Sequence, residues 1–253
     1  MKKATVIIFM LAAAASLHAT EEGKAETSRY KCVDMKGETL WESAVTVSPV
    51  LGEKDNYILT EEGKGRYYGF DGITSRKSEM RYIENKEALI PVSAKETVFS
   101  ESGKPVLEST ERFYPDEKKV ECTVKDLAKG EEKSKTLKYE GDIINGKIMD
   151  DYIERFLAAG EKKRAVYIVS DNAELYRVTL RVVNKEEVSV NGKKREAYKI
   201  LIDPEIGFFS PVKAFITKNY EWYSCEPPYE WLKFKGLESS VDSPVVEMTP
   251  LGD

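Results

Sequence analysis

The stretch "LYRVTLRVV" at residues 175–183 alternates apolar and polar side chains. Tyr176 and Val178 would lie on one face of an extended chain, and Arg177 and Thr179 on the other. A period of two is typical of a strand with one buried and one solvated face. The stretch therefore predicts a β-strand that covers an apolar core.

Similar alternation recurs along the chain, for example in "KKVECTVKDL" at residues 118–127 and "REAYKILID" at residues 195–203. Turn-forming residues separate these runs, and the Asn191-Gly192 pair is a strong hairpin signal. Short strands joined by tight turns favour an antiparallel meander that curls into a barrel or half-barrel.

One stretch, "KIMDDYIERFLAA" at residues 147–159, has helical periodicity instead. Its apolar residues recur at helical spacing; they are Ile148, Met149, Tyr152, Ile153, Phe156 and Leu157. The opposite face, which we expect to be solvated, carries Asp150, Asp151, Glu154 and Arg155. The helix either completes the core or acts as a lid over an apolar cavity, and the pattern fits both roles.

The predicted fold class is mainly β: a curled antiparallel sheet (unclosed barrel) with one amphipathic helix packed on its concave face. No repeat of fixed period and no linker divides the chain. Residues 29–253 are therefore predicted to form a single β-rich domain.

The first residues, "MKKATVIIFMLAAAASLHAT", have the pattern of a secretory signal peptide. Lys2 and Lys3 precede an apolar run, and small residues lead to Ala19. We expect residues 1–19 to be cleaved, residues 20–28 to be a disordered segment, and the mature chain to be periplasmic. No later segment is apolar for long enough to span a membrane.

His18 is the only histidine, so the predicted mature chain has none. Ser-His-Asp triads, Cys-His pairs and HExxH zinc sites are thereby excluded. The net charge is −5, and no basic block stands alone. The composition therefore does not indicate nucleic acid as a partner.

Three cysteines, Cys32, Cys122 and Cys225, would face an oxidising compartment after export. They permit one disulfide in any of three pairings, and Cys225, beside a Pro-Pro corner, is a candidate for it. Buried free thiols are the alternative. No CxxC pattern occurs, so we predict no metal site and no cofactor.

Two strings match motifs of penicillin-binding serine enzymes: SxxK from Ser210 to Lys213, and SDN at Ser170, Asp171 and Asn172. SDN precedes SxxK here, the reverse of the order in those enzymes, and no KTG follows. We interpret both strings as turn residues and predict no catalytic residue.

Aromatic residues concentrate around "WYSCEPPYEWLKF" at residues 222–234, where two strand-like runs flank a proline break. They either pack the core or line a pocket for lipid or glycan. With two aromatic residues of the helix they form the predicted ligand-binding set: Tyr152, Phe156, Tyr220, Trp222, Tyr229 and Trp231.

The tail "YEWYSCEPPYEWLKFKGLESSVDSPVVEMT" at residues 220–249 resembles the end of a family of exported bacterial proteins that carry a domain of unknown function. The stretches "ERFYPDEKKVECTV" and "KTLKYEGDIINGKIMDDYIERFL" are also similar to that family. The resemblance implies a curled antiparallel sheet around a helix, similar in shape to the lipoprotein carriers LolA and LolB. It brings no catalytic residues with it.

The leading hypothesis is a non-catalytic periplasmic protein that binds an apolar or amphipathic ligand, such as a lipid or a lipoprotein acyl chain. One alternative is a structural or assembly protein that contacts an envelope protein. Another is an envelope polysaccharide enzyme that uses carboxylates alone.

Overall fold

The computed structural model describes residues 25–170, 173–205, 217–240 and 242–252. The expected signal peptide, the SxxK string and two residues of the SDN string lie outside these ranges. The first strand begins at Glu26, so the expected disordered segment is wrong for residues 26–28.

The described residues form fifteen strands and one α-helix, α1 (Met149–Ala158). The strands are β1 (Glu26–Asp34), β2 (Thr39–Pro49), β3 (Asn56–Gly65), β4 (Thr74–Glu84), β5 (Leu89–Phe99), β6 (Pro105–Tyr114), β7 (Lys119–Asp126), β8 (Glu131–Lys138), β9 (Ile143–Asn145), β10 (Lys163–Ser170), β11 (Glu174–Val190), β12 (Lys193–Pro204), β13 (Asn219–Ser224), β14 (Trp231–Leu237) and β15 (Val245–Pro250).

All these strands belong to one sheet, in the order β8-β7-β6-β5-β4-β3-β2-β1-β15-β14-β13-β12-β11-β10-β9. Among the described strands every neighbouring pair is antiparallel except β9 and β10, which are parallel. Strands β8 and β9 are the two ends of the sheet. The predicted mainly-β unclosed barrel is confirmed.

The predicted hairpin is present between β11 and β12. Val190 pairs with Lys193, which leaves Asn191 and Gly192 as a two-residue loop. Both have positive φ, 50° and 77°. A type I′ turn requires positive φ at both central residues, which Asn and Gly tolerate best.

Apolar side chains close the gap between the two ends of the sheet. Phe113 and Val120, from β6 and β7, belong to one buried cluster with Ile143 and Val169, from β9 and β10. Side chains therefore pack across the gap between the two ends of the sheet, although β8 and β9 are not hydrogen-bonded to each other.

Helix α1 lies inside the curled sheet. Met149, Ile153 and Phe156 of α1 are fully buried in the main core, which also contains residues of strands from both halves of the sheet. At the C-terminal end, Gly160 has positive φ, and its N–H donates to the carbonyl of Leu157. This arrangement is the expected way for glycine to end a helix.

The expected solvated face of the helix is wrong. Asp150, Asp151 and Glu154 are only 0%, 7% and 9% exposed. Strands surround α1, so its charged face turns toward other parts of the protein rather than bulk water. Helical periodicity predicts that two faces differ, and it does not predict what covers each face.

A buried ion cluster holds the start of the helix. Lys147 Nζ lies 3.0 Å from Glu61 Oε2 and 3.0 Å from Glu96 Oε2. Arg76 lies 3.7 Å from Glu96. Burial would raise the pKa of Glu96, but the charges of Lys147 and Arg76 outweigh it and lower this pKa to about 2. The cluster fixes the residues before α1 to β3 and β5.

All three cysteines lie in the described residues and are free thiols, so the candidate disulfide of Cys225 is not formed in this structure. Cys32 and Cys122 are buried in separate apolar clusters. Burial raises the pKa of Cys122 to about 12. These two thiols therefore behave as small apolar core residues.

Candidate functional site

A cleft of about 1180 Å³ opens beside α1. Its walls are the turn between β4 and β5, one side of α1, and the corner between β13 and β14. Pockets of this size accommodate small organic ligands. The cleft is therefore the candidate binding site.

The turn between β4 and β5 is built around Asn85. Its side-chain oxygen accepts hydrogen bonds from the backbone N–H groups of Glu87 and Ala88, each at 2.9 Å. Arg155 of α1 donates to the Asn85 carbonyl and lies 3.4 Å from Glu84. Two walls of the cleft are thus joined directly.

Tyr152 is held in one orientation on the helix wall. Its hydroxyl donates to Asp142 Oδ2 at 2.7 Å, and the Arg164 guanidinium lies 5.5 Å from the centre of its ring. Burial and the neighbouring Asp142 carboxylate raise the pKa of Tyr152, so it stays a neutral donor. The ring presents a fixed apolar surface to the cleft.

The third wall is the proline corner. Pro227, Pro228 and Tyr229 line the cleft, and the Tyr229 N–H donates to the Glu226 carbonyl at 2.9 Å. The Tyr229 ring lies 6.4 Å from that of Tyr198. The break that the sequence predicts between two aromatic strands is confirmed, and its tip contributes to the cleft.

Two carboxyl groups of α1 line the cleft with raised pKa values. Burial, followed by the charges of Asp151 and Glu84, raises the pKa of Glu154 to about 9. Burial and the charge of Glu84 raise the pKa of Asp151 well above its usual range, against the opposing effect of Arg155. With a pKa of about 9, Glu154 is mostly uncharged at neutral pH.

Behind the cleft wall, a second face of α1 meets β13. Tyr223 Oη lies 2.9 Å from Asp150 Oδ1 and 2.6 Å from Glu221 Oε2. All three side chains are almost fully buried. Burial raises the pKa of Glu221 to about 7. We call Asp150, Tyr223 and Glu221 the carboxyl–tyrosine unit.

Sequence reasoning missed this unit. The helical pattern placed Asp150 on a solvated face, and no pattern singled out Glu221. The usable signal was the two-residue period of β13, which places Glu221 on the same face as Tyr223. If Tyr223 faces the core, Glu221 must face it too.

The structure separates the six predicted ligand-binding residues into three places. Tyr152 and Tyr229 both line the cleft. Phe156 and Trp231 belong to the main core, where Trp231 packs edge-on against Tyr30 at 5.5 Å between ring centroids. These two have no described surface to offer a ligand.

Tyr220 and Trp222 lie apart from the cleft, in a depression of about 700 Å³. Trp222 Nε1 donates to Glu186 at 2.8 Å, and the Lys199 ammonium lies 5.1 Å from the Trp222 ring. Trp222 pairs with Lys233 across the sheet, whereas Tyr223 pairs with Trp231. Trp222 and Trp231 therefore face opposite sides.

Within the described ranges, no group of three or more His, Cys, Asp or Glu is placed to hold a metal ion. No described helix is both long and apolar enough to cross a membrane.

The fold has a known counterpart among β-barrel-like proteins. No protein-family model matches the chain, and no curated protein matches it significantly. One similar solved structure is the β-barrel-like protein of domain of unknown function DUF1849 from Brucella abortus. The TM-score is 0.53 at 9% identity, over 92% of this chain and 97% of that chain. At this identity the similarity concerns the fold alone.

This similarity agrees with the curled β fold that the sequence resemblance implies, and with no other part of that resemblance. The likeness to LolA and LolB, and export, stay predictions.

Proposed function

We propose that this protein is an exported, non-catalytic binding protein that holds an amphipathic ligand in the cleft beside α1. The observation that carries the proposal is the lining of the cleft, which combines tyrosine and proline rings with charged groups of both signs. Ligand sites typically combine an apolar lining with a few placed polar groups.

The apolar part of the ligand would contact the rings that line the cleft; these are Tyr57, Pro91, Pro115, Tyr139, Tyr152, Pro227, Pro228 and Tyr229. Its polar part would lie near Arg155, Lys86 and Glu87. Since cationic and acidic side chains are both present, a zwitterionic polar group fits the cleft better than a single charge does.

The position of the ligand differs from the sequence-based hypothesis of a lid over an apolar cavity. Ile153 and Phe156 are 0% exposed in the main core, so the apolar face of α1 is already covered by protein. The geometry favours a ligand at the mouth of the barrel, beside the helix, over an acyl chain between helix and sheet.

The pKa values in the cleft bear on the polysaccharide-enzyme alternative. Hydrolysis by a carboxyl pair needs one protonated acid and one ionised carboxylate, whose environments push their pKa values apart. The pKa values of Asp151 and Glu154 are both raised. The charge of Glu84, which lines the same cleft, contributes to both shifts, so the pKa values do not separate binding from the polysaccharide-enzyme alternative.

The proposed compartment is the periplasm, and it rests on the signal-peptide pattern of residues 1–19. A lipid or lipoprotein of the envelope would then be the source of the ligand. Intact-mass measurement of protein recovered from the periplasm is expected to give a chain that starts at Thr20. Recovery of uncleaved chain from the cytoplasm would contradict export.

Binding can be tested with lysophosphatidylethanolamine, a zwitterionic single-chain amphiphile, by titration calorimetry. Tyr229→Ala removes an aromatic wall of the cleft and is expected to weaken binding about tenfold or more. Tyr220→Ala is the matched control, because Tyr220 lies in the separate depression. It is expected to leave affinity within about twofold.

Two results would overturn the proposal. The first is that neither lysophosphatidylethanolamine nor the uncharged probe N-phenyl-1-naphthylamine binds. The other is an equal loss of affinity in Tyr229→Ala and Tyr220→Ala, since the cleft would then have no special part in binding.

A further inference from the structure

If both acids of the carboxyl–tyrosine unit are ionised, only one proton is present for two hydrogen bonds. The Tyr223 hydroxyl lies within hydrogen-bond distance of Asp150 Oδ1 and Glu221 Oε2, at 2.9 and 2.6 Å. A hydroxyl has one proton to donate. It can donate to one carboxyl group, and the other must be protonated to donate to the tyrosine oxygen. Both contacts are satisfied only when at least one acid is neutral.

No described cation compensates for the missing proton. Asp150 Oδ2 and Glu221 Oε1 are buried and lack a hydrogen-bond partner within the described part of the chain. Asp151 and Glu154 of α1 add further acidic groups near Asp150. Tyr30, on β1, also interacts with Asp150.

The cations at both ends of the helix have other carboxylate partners. Lys147, before the helix, contacts Glu61 and Glu96. Arg155, in its last turn, contacts Glu84.

We propose that the carboxyl–tyrosine unit is a proton-dependent latch, which holds α1 against β13 while one of its acids is protonated and releases the helix when both are ionised. Because α1 forms one wall of the cleft, the latch also regulates the site. That consequence rests on the proposed function, whereas the latch itself does not.

Loss of the last shared proton places two carboxylates around one buried hydroxyl. One carboxylate then has no donor, and its burial without a partner is unfavourable. Asp150 is on the helix and Glu221 on the sheet, so both anions can regain water only if α1 moves away from β13. The same movement would displace Tyr152 and Arg155 from the cleft.

The sign of the pH effect follows from the geometry and agrees with the raised pKa values. An acid whose pKa is higher in the folded than in the unfolded state favours folding most at low pH. That advantage is lost as pH rises from the ordinary carboxyl value through the folded value, which for Glu221 is about 7. The latch is therefore closed in mildly acid conditions and opens above neutrality.

Hydrogen exchange of the full protein, followed by mass spectrometry from about pH 4 to about pH 9 without ligand, tests the latch. After correction for intrinsic exchange rates, we expect protection of the peptide that covers α1 to fall by up to about tenfold per pH unit between the ordinary carboxyl pKa and the folded pKa, because opening releases one proton in that range, and to level off above it. Peptides from β3 and β4 should keep their protection over the same range.

Glu221→Gln is the decisive variant. The amide can donate to Tyr223 Oη, which can then donate to an ionised Asp150, so one of the two titrating acids is removed and the remaining carboxylate keeps a donor. Protection of α1 is therefore expected to fall less steeply with pH in E221Q than in the wild type. Glu186→Gln is the control, because Glu186 bonds to Trp222 on the other side of β13.

Equal pH slopes for α1 in the wild type and E221Q, or pH-independent protection of α1 in the wild type, would overturn the latch. If E221Q does not fold, the wild-type profile alone decides. Binding of lysophosphatidylethanolamine should weaken with rising pH in the wild type and weaken less in E221Q. If this probe binds at no pH, the proposed function fails, while the exchange profiles still decide the latch.

Discussion

At the scale of single residues, the surroundings of two buried acids, Glu96 and Glu221, favour opposite protonation states. Glu96 contacts Lys147 and Arg76, which hold its pKa at about 2. Glu221 contacts Tyr223 instead, and burial raises its pKa to about 7. Burial alone therefore does not fix the charge of an acid; the neighbouring group decides it.

Glu221→Gln should stabilise the protein at alkaline pH. The rise in pKa from the ordinary glutamate value of 4.5 to about 7 corresponds to about 3 kcal/mol of unfolding free energy that the wild type loses above neutrality. Urea unfolding of both proteins at about pH 5 and about pH 8.5 measures this difference in unfolding free energy. The variant should gain stability over the wild type at the higher pH and differ little at the lower one. The same difference at both pH values would contradict the assignment.

Glu96→Gln should have the opposite pH dependence. A lowered pKa contributes stability above the ordinary carboxyl value, and this is lost as pH falls toward the folded value of about 2. Removing the charge leaves Lys147 and Arg76 with less compensation, so we expect a loss of about 3 kcal/mol at neutral pH. The loss should shrink near pH 3. Destabilisation that grows on acidification would contradict this account.

At the scale of secondary-structure elements, periodicity in the sequence predicted whether an element is a helix or a strand. It did not predict what packs around the element. The helical pattern of residues 147–159 corresponds to a short 3-10 turn followed by α1, Met149–Ala158. The break between aromatic runs corresponds to the end of β13 and the start of β14. Local sequence specifies these features because they depend on backbone preference and on spacing.

The face assignments failed for a physical reason. Asp150 and Asp151 are on the polar face of α1, and a polar face normally turns to water. Here strands from both halves of the sheet enclose the helix, so the face is buried. Glu221 lies inside the barrel for the same reason. These acids are buried because distant strands close the sheet around them. The spacing of residues within one element carries no information about that closure.

The core role of α1 can be measured with Ile153→Ala. Ile153 is 0% exposed in the main core, so removal of its side chain should lower the unfolding free energy by about 2 to 5 kcal/mol. Leu51→Ala is the matched control, because Leu51 is 100% exposed in a turn. Its effect should stay within about 0.5 kcal/mol. Similar small effects for both variants would show that α1 is not part of the core.

At the scale of the whole molecule, pairing of β1 with β15 brings the two ends of the described chain into one sheet. Cys32 lies opposite Met248, although 216 positions separate them in the numbering. A meander of neighbouring hairpins was predictable from turn residues, whereas this pairing was not. The cleft has the same origin, since its walls come from distant parts of the chain, Glu84, Tyr152 and Tyr229.

We propose that an amphipathic ligand binds in the cleft beside α1. Photo-crosslinking with a lysophosphatidylethanolamine that carries a diazirine in its acyl chain, followed by peptide mapping, tests it most directly. We expect labels at residues 84–91, 151–159 and 227–229, and we expect excess unlabelled probe to remove them. Labels confined to the depression around Tyr220 and Trp222, or labels that excess probe does not displace, would contradict it.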